Sequence, residues 1–146
     1  TAVMVYAVTS QTLFDDGGHV VLHLTNVSDG TGESAVVKAD ASALVGGGTT
    51  TRYALEAIAW ECVGMGFNLL WDATTDVLFF TTGNATSQGF IDFVNGPSGN
   101  IGTGPGRTGI TNNAGTGVTG DILLTTVGHT AADAYVVTLW LRKTAA

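Results

Sequence analysis

Basic side chains are scarce in this chain: Lys38, Arg52, Arg107, Arg142 and Lys143 stand against twelve acids, for a formal net charge of -7 at pH 7. Recognition of a phosphate backbone needs clustered Lys and Arg, and only Arg142-Lys143 is contiguous, which argues against a nucleic-acid partner. Charge of either sign is thin, at 12% of residues, about half the usual ~25%. A surface densely covered in Lys and Glu is therefore missing. Cysteine occurs once, so an internal disulfide and a cysteine-based zinc cluster are both ruled out. Cys62 lies in the apolar run Ala59-Trp60-Glu61-Cys62-Val63 and reads as a small packed hydrophobe. Mean hydropathy is positive at +0.31, yet no run approaches the ~18 consecutive apolar residues of a membrane helix, and no membrane partner is expected. The first residues lack a basic leader region. With the single thiol, this gives the expectation of assembly in a cytoplasm.

What the chain has is apolar residues, 45% of the total, dispersed in short runs, and 21 glycines among 146 residues. The runs are rich in Val, Leu, Thr, Phe, Tyr and Trp and each ends at Gly, Asn or Asp, the signature of strands and turns. Nine strands are predicted: Val3–Val8, His19–Thr25, Ser34–Ala39, Tyr53–Val63, Phe67–Trp71, Val77–Thr81, Phe90–Val94, Gly120–Thr126 and Ala134–Arg142. Good helix formers are confined to Ser42–Val45 and Ala54–Ala59, so little or no helix is expected. The fold class is all-β, an antiparallel β-sandwich or jelly-roll-like barrel in a single domain with one long Gly-rich loop.

In Ala134–Lys143, Tyr135, Val137, Leu139 and Leu141 share one face of a strand while Val136, Thr138, Trp140 and Arg142 share the other. Both faces are largely apolar. Such a strand is either covered on both sides or presents Trp140 to another chain. His19 and His23 share a face of their strand but lie about 13 Å apart in extended chain, too far to hold one metal ion. Asp72–Asp76 reads as a hairpin turn, Ser28–Gly32 as a second turn and Gly64-Met65-Gly66 as a sharp bend between strands.

Asn95–Gly117 differs in kind, with eight glycines, both prolines, four Asn and no aromatic residue. A segment of this composition cannot build a core and is usually functional or ordered by a partner. Gly104-Pro105-Gly106-Arg107-Thr108-Gly109 has the letters of a phosphate loop, but no helix pattern follows it and Pro105 removes a backbone donor. Asp15-Asp16-Gly17 and Asp29–Glu33 carry oxygen ligands in turns without the full spacing of a calcium loop, so turn-forming Asp is the preferred reading. No nucleophile elbow is present. Two acids on facing strands, such as Glu56 or Glu61 with Asp92, have the form of a glycosidase pair, but twelve acids in a β domain make such a coincidence cheap. Trp60, Trp71 and Trp140 each lie within apolar runs, where a core or interface role is preferred over sugar stacking. No cofactor, metal or catalytic residue is assigned.

Leu24 to Lys38, Val63-Gly64-Met65-Gly66 to Leu70-Trp71-Asp72, and Thr119-Gly120-Asp121-Ile122 to Thr126-Val127-Gly128-His129-Thr130 resemble the small structural proteins of tailed-bacteriophage virions. The resemblance leaves out Asn95–Thr111. It implies assembly in place of catalysis: a β-sandwich or jelly-roll subunit, commonly trimeric, that sits on the capsid exterior and cements neighbouring major-capsid subunits. A head-fibre, neck or tail domain that binds host glycans is the alternative. The residues expected at such contacts are Tyr6 in the N-terminal arm, Asn100, Arg107, Asn112 and Asn113 in the Gly-rich segment, and Trp140 on the last strand.

Overall fold

Short apolar runs separated by Gly and Asp can satisfy their backbone groups only by pairing with one another. The computed structural model describes residues 7–48, 50–94 and 109–145, and among them are ten strands and no helix. The larger sheet is antiparallel in the order β1 (Ala7–Asp15), β2 (His19–Val27), β10 (Ala134–Ala145), β4 (Thr51–Val63) and β7 (Ser87–Asp92), with β8 (Ile110–Thr111) also paired to β4. The smaller sheet is β3 (Val36–Ala39), β9 (Ile122–Val127), β5 (Gly66–Trp71) and β6 (Val77–Thr81), likewise antiparallel. The two pack face to face as a β-sandwich, the expected class.

Period-two alternation decides which residues meet between the sheets. Val20, Leu22 and Leu24 of β2, Ile58 and Cys62 of β4, and Tyr135, Val137, Leu139 and Leu141 of β10 face Phe67, Leu69 and Trp71 of β5 and Ile122 and Leu124 of β9. All are essentially inaccessible to water. Removing each such side chain from water contributes about 2 kcal/mol before the ordering cost. Cys62 is a buried free thiol, and burial pushes its pKa up, in keeping with a packing role. The chain passes from the larger to the smaller sheet at Gly64-Met65-Gly66, where Gly64 has φ 75° and Met65 is buried. The Asp72–Asp76 turn joins β5 to β6, with Asp76 Oδ1 accepting the Ala73 N–H at 3.2 Å.

Several boundaries move from their expected places. β1 extends through Ser10-Gln11-Thr12 to Asp15, a stretch whose polar alternation hid it, while Thr1–Tyr6 lie outside the described residues. The strand expected at Phe90–Val94 is Ser87–Asp92, because Asp92 Oδ1 accepts the Val94 N–H at 2.9 Å and turns the chain. The Gly-rich segment is not wholly a free loop. Asn95–Thr108 lie outside the described residues, but Ile110 and Thr111 pair with Leu55 and Ala54, and Thr116 O accepts the Thr74 N–H at 3.1 Å.

Lys143 closes the open end of the larger sheet. Its ammonium pairs with Asp15 Oδ1 and donates to the carbonyls of Asp16 and Val45, tying β10 to the β1–β2 turn and to the loop after β3. Burial works to raise the Asp15 pKa, but the Lys143 pair and the Val45 N–H outweigh it and hold the carboxyl below its ordinary range. The backbone N–H groups of His19 and Gly18 do the same for Asp16. A depressed folded pKa contributes stability above the unfolded pKa and loses it as pH falls, here below about 4. Asp121 works in the opposite direction, since burial raises its pKa and protonation relieves that cost. Asp15→Asn should therefore lower the urea midpoint at neutral pH and shrink the drop on acidification, measured by urea titrations between about pH 7 and 3. On β10 itself, Leu139→Ala should cost about 2–5 kcal/mol, whereas Val136→Ala, on the opposite face, should cost under about 1 kcal/mol in the same assay.

Candidate functional site: an uncovered apolar sheet face

The residues of β10 that do not enter the core stand on the outer face of the larger sheet, and the register shows what joins them. Trp140 pairs with Val21 of β2 and Ala57 of β4, with Phe14 of β1 beyond Val21 and Asp92 of β7 beyond Ala57. The next row is Gln11, His23, Thr138, Ala59 and Phe90, and the one after it is Thr9, Thr25, Val136, Glu61 and Gln88. Ala7, Val27, Ala134 and Val63 complete the face. No strand or helix of the described residues covers it. Phe90 is 62% exposed, Val63 53% and Phe14 51%, and Val27 and Val136 are also well exposed.

Small residues in the middle give the face its relief. Ala57 and Ala59 lie low between the larger side chains, and Trp140 meets Phe90 edge to face with ring centroids 5.9 Å apart at 85°. A depression of about 420 Å³ opens there, lined by Glu56, Ala57, Phe90, Asp92, Val94 and Trp140. A smaller one of about 250 Å³ is lined by Ala59, Trp60, Glu61, Gly89, Val136 and Thr138. Gly89 is required at that point: a Cβ there would lie 2.6 Å from the Trp60 ring, whose Nε1 donates to Ser87 Oγ at 3.1 Å.

Polar groups border the face at one end. A bulge between Leu55 and Ala57 leaves Glu56 without an opposite number on β10 and aims it outward, where its carboxylate meets His19 Nε2 at 3.1 Å and Arg142 at 3.5 Å. Glu56 and Asp92 thus share the margin of one depression, the arrangement that a glycoside-cleaving pair would need. Both carboxylates are already engaged, Glu56 with His19 and Arg142 and Asp92 with the turn at Val94. His23 Nδ1 lies 2.8 Å from Thr138 Oγ1. Among the described residues no three His, Cys, Asp or Glu side chains converge on a metal position. Asp16 and Asp29 act as turn formers: Asp16 Oδ1 accepts the N–H groups of Gly18 and His19, and Asp29 Oδ1 accepts that of Thr31.

Of the residues expected at contacts, Trp140 stands at the centre of this face. Asn112 and Asn113 follow Thr111, which occupies the outer row of Arg142 and Ala54. Asn113 is exposed, whereas Asn112 turns inward, its Oδ1 accepting the Ala114 N–H at 2.9 Å and its Nδ2 buried. Tyr6, Asn100 and Arg107 lie outside the described residues. Val136 is placed with Trp140 by the alternation of the last strand, but the sequence does not single out Phe14, Phe90 or Ala57. The signal that joins them is cross-strand register, which a single chain does not display.

The chain matches no protein-family model and none of the curated proteins. Its function is therefore argued from this face. Phe90→Ser should leave folding stability within about 1 kcal/mol of wild type, the size of one exposed aromatic pair, while reducing binding of an apolar fluorescent dye. Wild-type dye binding by that variant would mean the face is not a sticky surface.

Proposed function

We propose that the chain is a non-enzymatic virion structural protein: a capsid decoration, or cement, protein that acts as a homotrimer on the exterior of a tailed-phage head and bridges neighbouring major-capsid subunits. The observation that carries this reading is the uncovered outer face of the larger sheet, with Trp140 and Phe90 at its centre. Five strands about 4.8 Å apart, over about seven residues at ~3.3 Å each, span roughly 550 Å² before side-chain relief. That approaches the ~800 Å² per partner of a standard subunit contact. The sandwich carries a second apolar row on the outside of the smaller sheet, where Val37, Leu123, Leu70 and Leu78 align across four strands, so two sides are available to neighbours. Few charges need be desolvated on either side, and weak contacts suffice when many copies engage one lattice. The resemblance of Leu24 to Lys38 and of the two later stretches to small virion proteins supports a phage head as that lattice.

A second reading draws on one specific observation: Trp140 and Phe90 stand beside Glu56 and Asp92 around a single depression, an aromatic-plus-acid arrangement suited to a sugar ring. The apolar surface extends well beyond that depression to Val27, Val63, Val136 and Phe14, a breadth that favours a protein partner.

Mixed with empty heads assembled from the cognate major capsid protein, the purified chain should co-sediment with them and raise their thermal transition, and Phe90→Asp with Val136→Asp should lose both effects while remaining folded. Native mass should give a trimer. Failure to bind heads would overturn the cement role, and retention of a defined glycan by the wild type but not by the double variant would establish the second reading.

A further inference from the structure

The inner row of β2 runs Val20, Leu22, Leu24 and then Asn26, an amide where the alternation calls for another apolar side chain. Asn26 is buried, and its Nδ2 donates to Glu33 Oε1 at 2.7 Å. The same oxygen accepts the Tyr135 hydroxyl at 2.6 Å, and the other carboxylate oxygen meets the Lys38 ammonium. Lys38 and Glu33 have side chains only 4% and 2% exposed. Three features show that the cluster is built. Lys38 is the extra residue of a bulge between Val37 and Ala39, and its side chain is turned to the interior. Glu33 is fixed by its main chain, its N–H donating to Thr126 Oγ1 at 2.8 Å and its carbonyl accepting the Thr126 N–H at 3.0 Å. Asn26 Oδ1 is buried with no hydrogen-bond partner. A buried ion pair is poor value as a stabilising device, and an orphaned carbonyl beside it adds to the cost.

An amine, a carboxamide and a carboxylate that touches both are the components of an amide exchange. We propose that Lys38 and Asn26 become joined by an intramolecular isopeptide bond, with Glu33 as the catalytic acid-base. The Lys38 ammonium passes one proton to Glu33, a transfer that removes two opposite charges from an apolar site. The neutral Nζ attacks Asn26 Cγ, forming the new C–N bond. Glu33 delivers its proton to Nδ2, the Cγ–Nδ2 bond breaks, and Nδ2 leaves as ammonia while Glu33 recovers a proton from the attacking nitrogen. The sum is one ammonium, one carboxylate and one carboxamide converted to one secondary amide, one ammonia and one carboxylic acid, with no oxidant or co-reactant. The neutral acid then has Asn26 Oδ1, the orphaned carbonyl, as an acceptor. Asn26 sits on one oxygen of Glu33 and Lys38 on the other, so the step asks that Nζ cross this carboxylate to Asn26 Cγ, with Glu33 the base common to both. The product ties β2 in one sheet to β3 in the other, and the chemistry does not depend on which partner covers the outer face.

Intact-mass spectrometry of the purified folded chain should give a value one ammonia below that of the sequence. Trypsin should fail to cut after Lys38, and a protease that cuts after Glu33 should leave the pieces bearing Asn26 and Lys38 joined. Glu33→Gln and Lys38→Arg should each restore the lost ammonia. A wild-type mass equal to the full sequence overturns the proposal whether or not the variants fold, as does an ammonia loss that maps elsewhere, for example to a succinimide at Asn95-Gly96. A joined product that persists in folded Glu33→Gln overturns the role given to Glu33.

Discussion

The architecture depends on β10 having two apolar faces. It is the central strand of the larger sheet, flanked by β2 and β4, and its inner residues, from Tyr135 to Leu141, fill the middle of the core. Its outer residues then have nowhere to go. A strand of this composition would ordinarily be covered on both sides, as in parallel sheets sheathed by helices. Here no second layer exists among the described residues, and the sandwich leaves Trp140 and Val136 facing outward. The face carries Glu61 and Asp92 but no Lys, and most of its other residues are Ala, Val, Thr and aromatic.

Much of this was legible in the sequence. Alternation in Ala134–Lys143 assigned each residue to the correct face, and the Gly and Asp punctuation located the bend at Gly64–Gly66 and the β5–β6 turn. Less legible was anything set by pairing. β1 is a full-length strand whose Ser10, Gln11 and Thr12 read as linker until they are seen bonded to β2. The union of Phe14, Trp140 and Phe90 on one surface needs the register of β1, β2, β10, β4 and β7 together. The Gly-rich segment was read as a loop on composition, and β8 escaped notice because two residues carry no periodicity.

The bulges are the other feature hidden from pattern reading, and they do complementary things. The one at Glu56 turns a carboxylate outward, where it meets His19 and Arg142 at the border of the apolar face. The one at Lys38 turns a cation inward to Glu33. In both cases a one-residue slip in pairing leaves the charged residue without an opposite number while its neighbours keep their places in the rows. The polar chemistry of this sandwich is thus positioned by irregularities in its ladders, on a scaffold that regular alternation builds.

The position of β10 also constrains how the molecule can be made. It comes last in chain order among the ten described strands, yet it lies between β2 and β4. Until it arrives, the larger sheet is two fragments, a β1–β2 hairpin and a β4–β7 pair, each with an apolar inner row and a bare edge awaiting the same partner. Insertion of one strand completes both ladders and closes the core at once. Completing the sheet therefore needs a contact between distant parts of the chain, and until then each half presents an unpaired ladder edge open to mispairing with another copy.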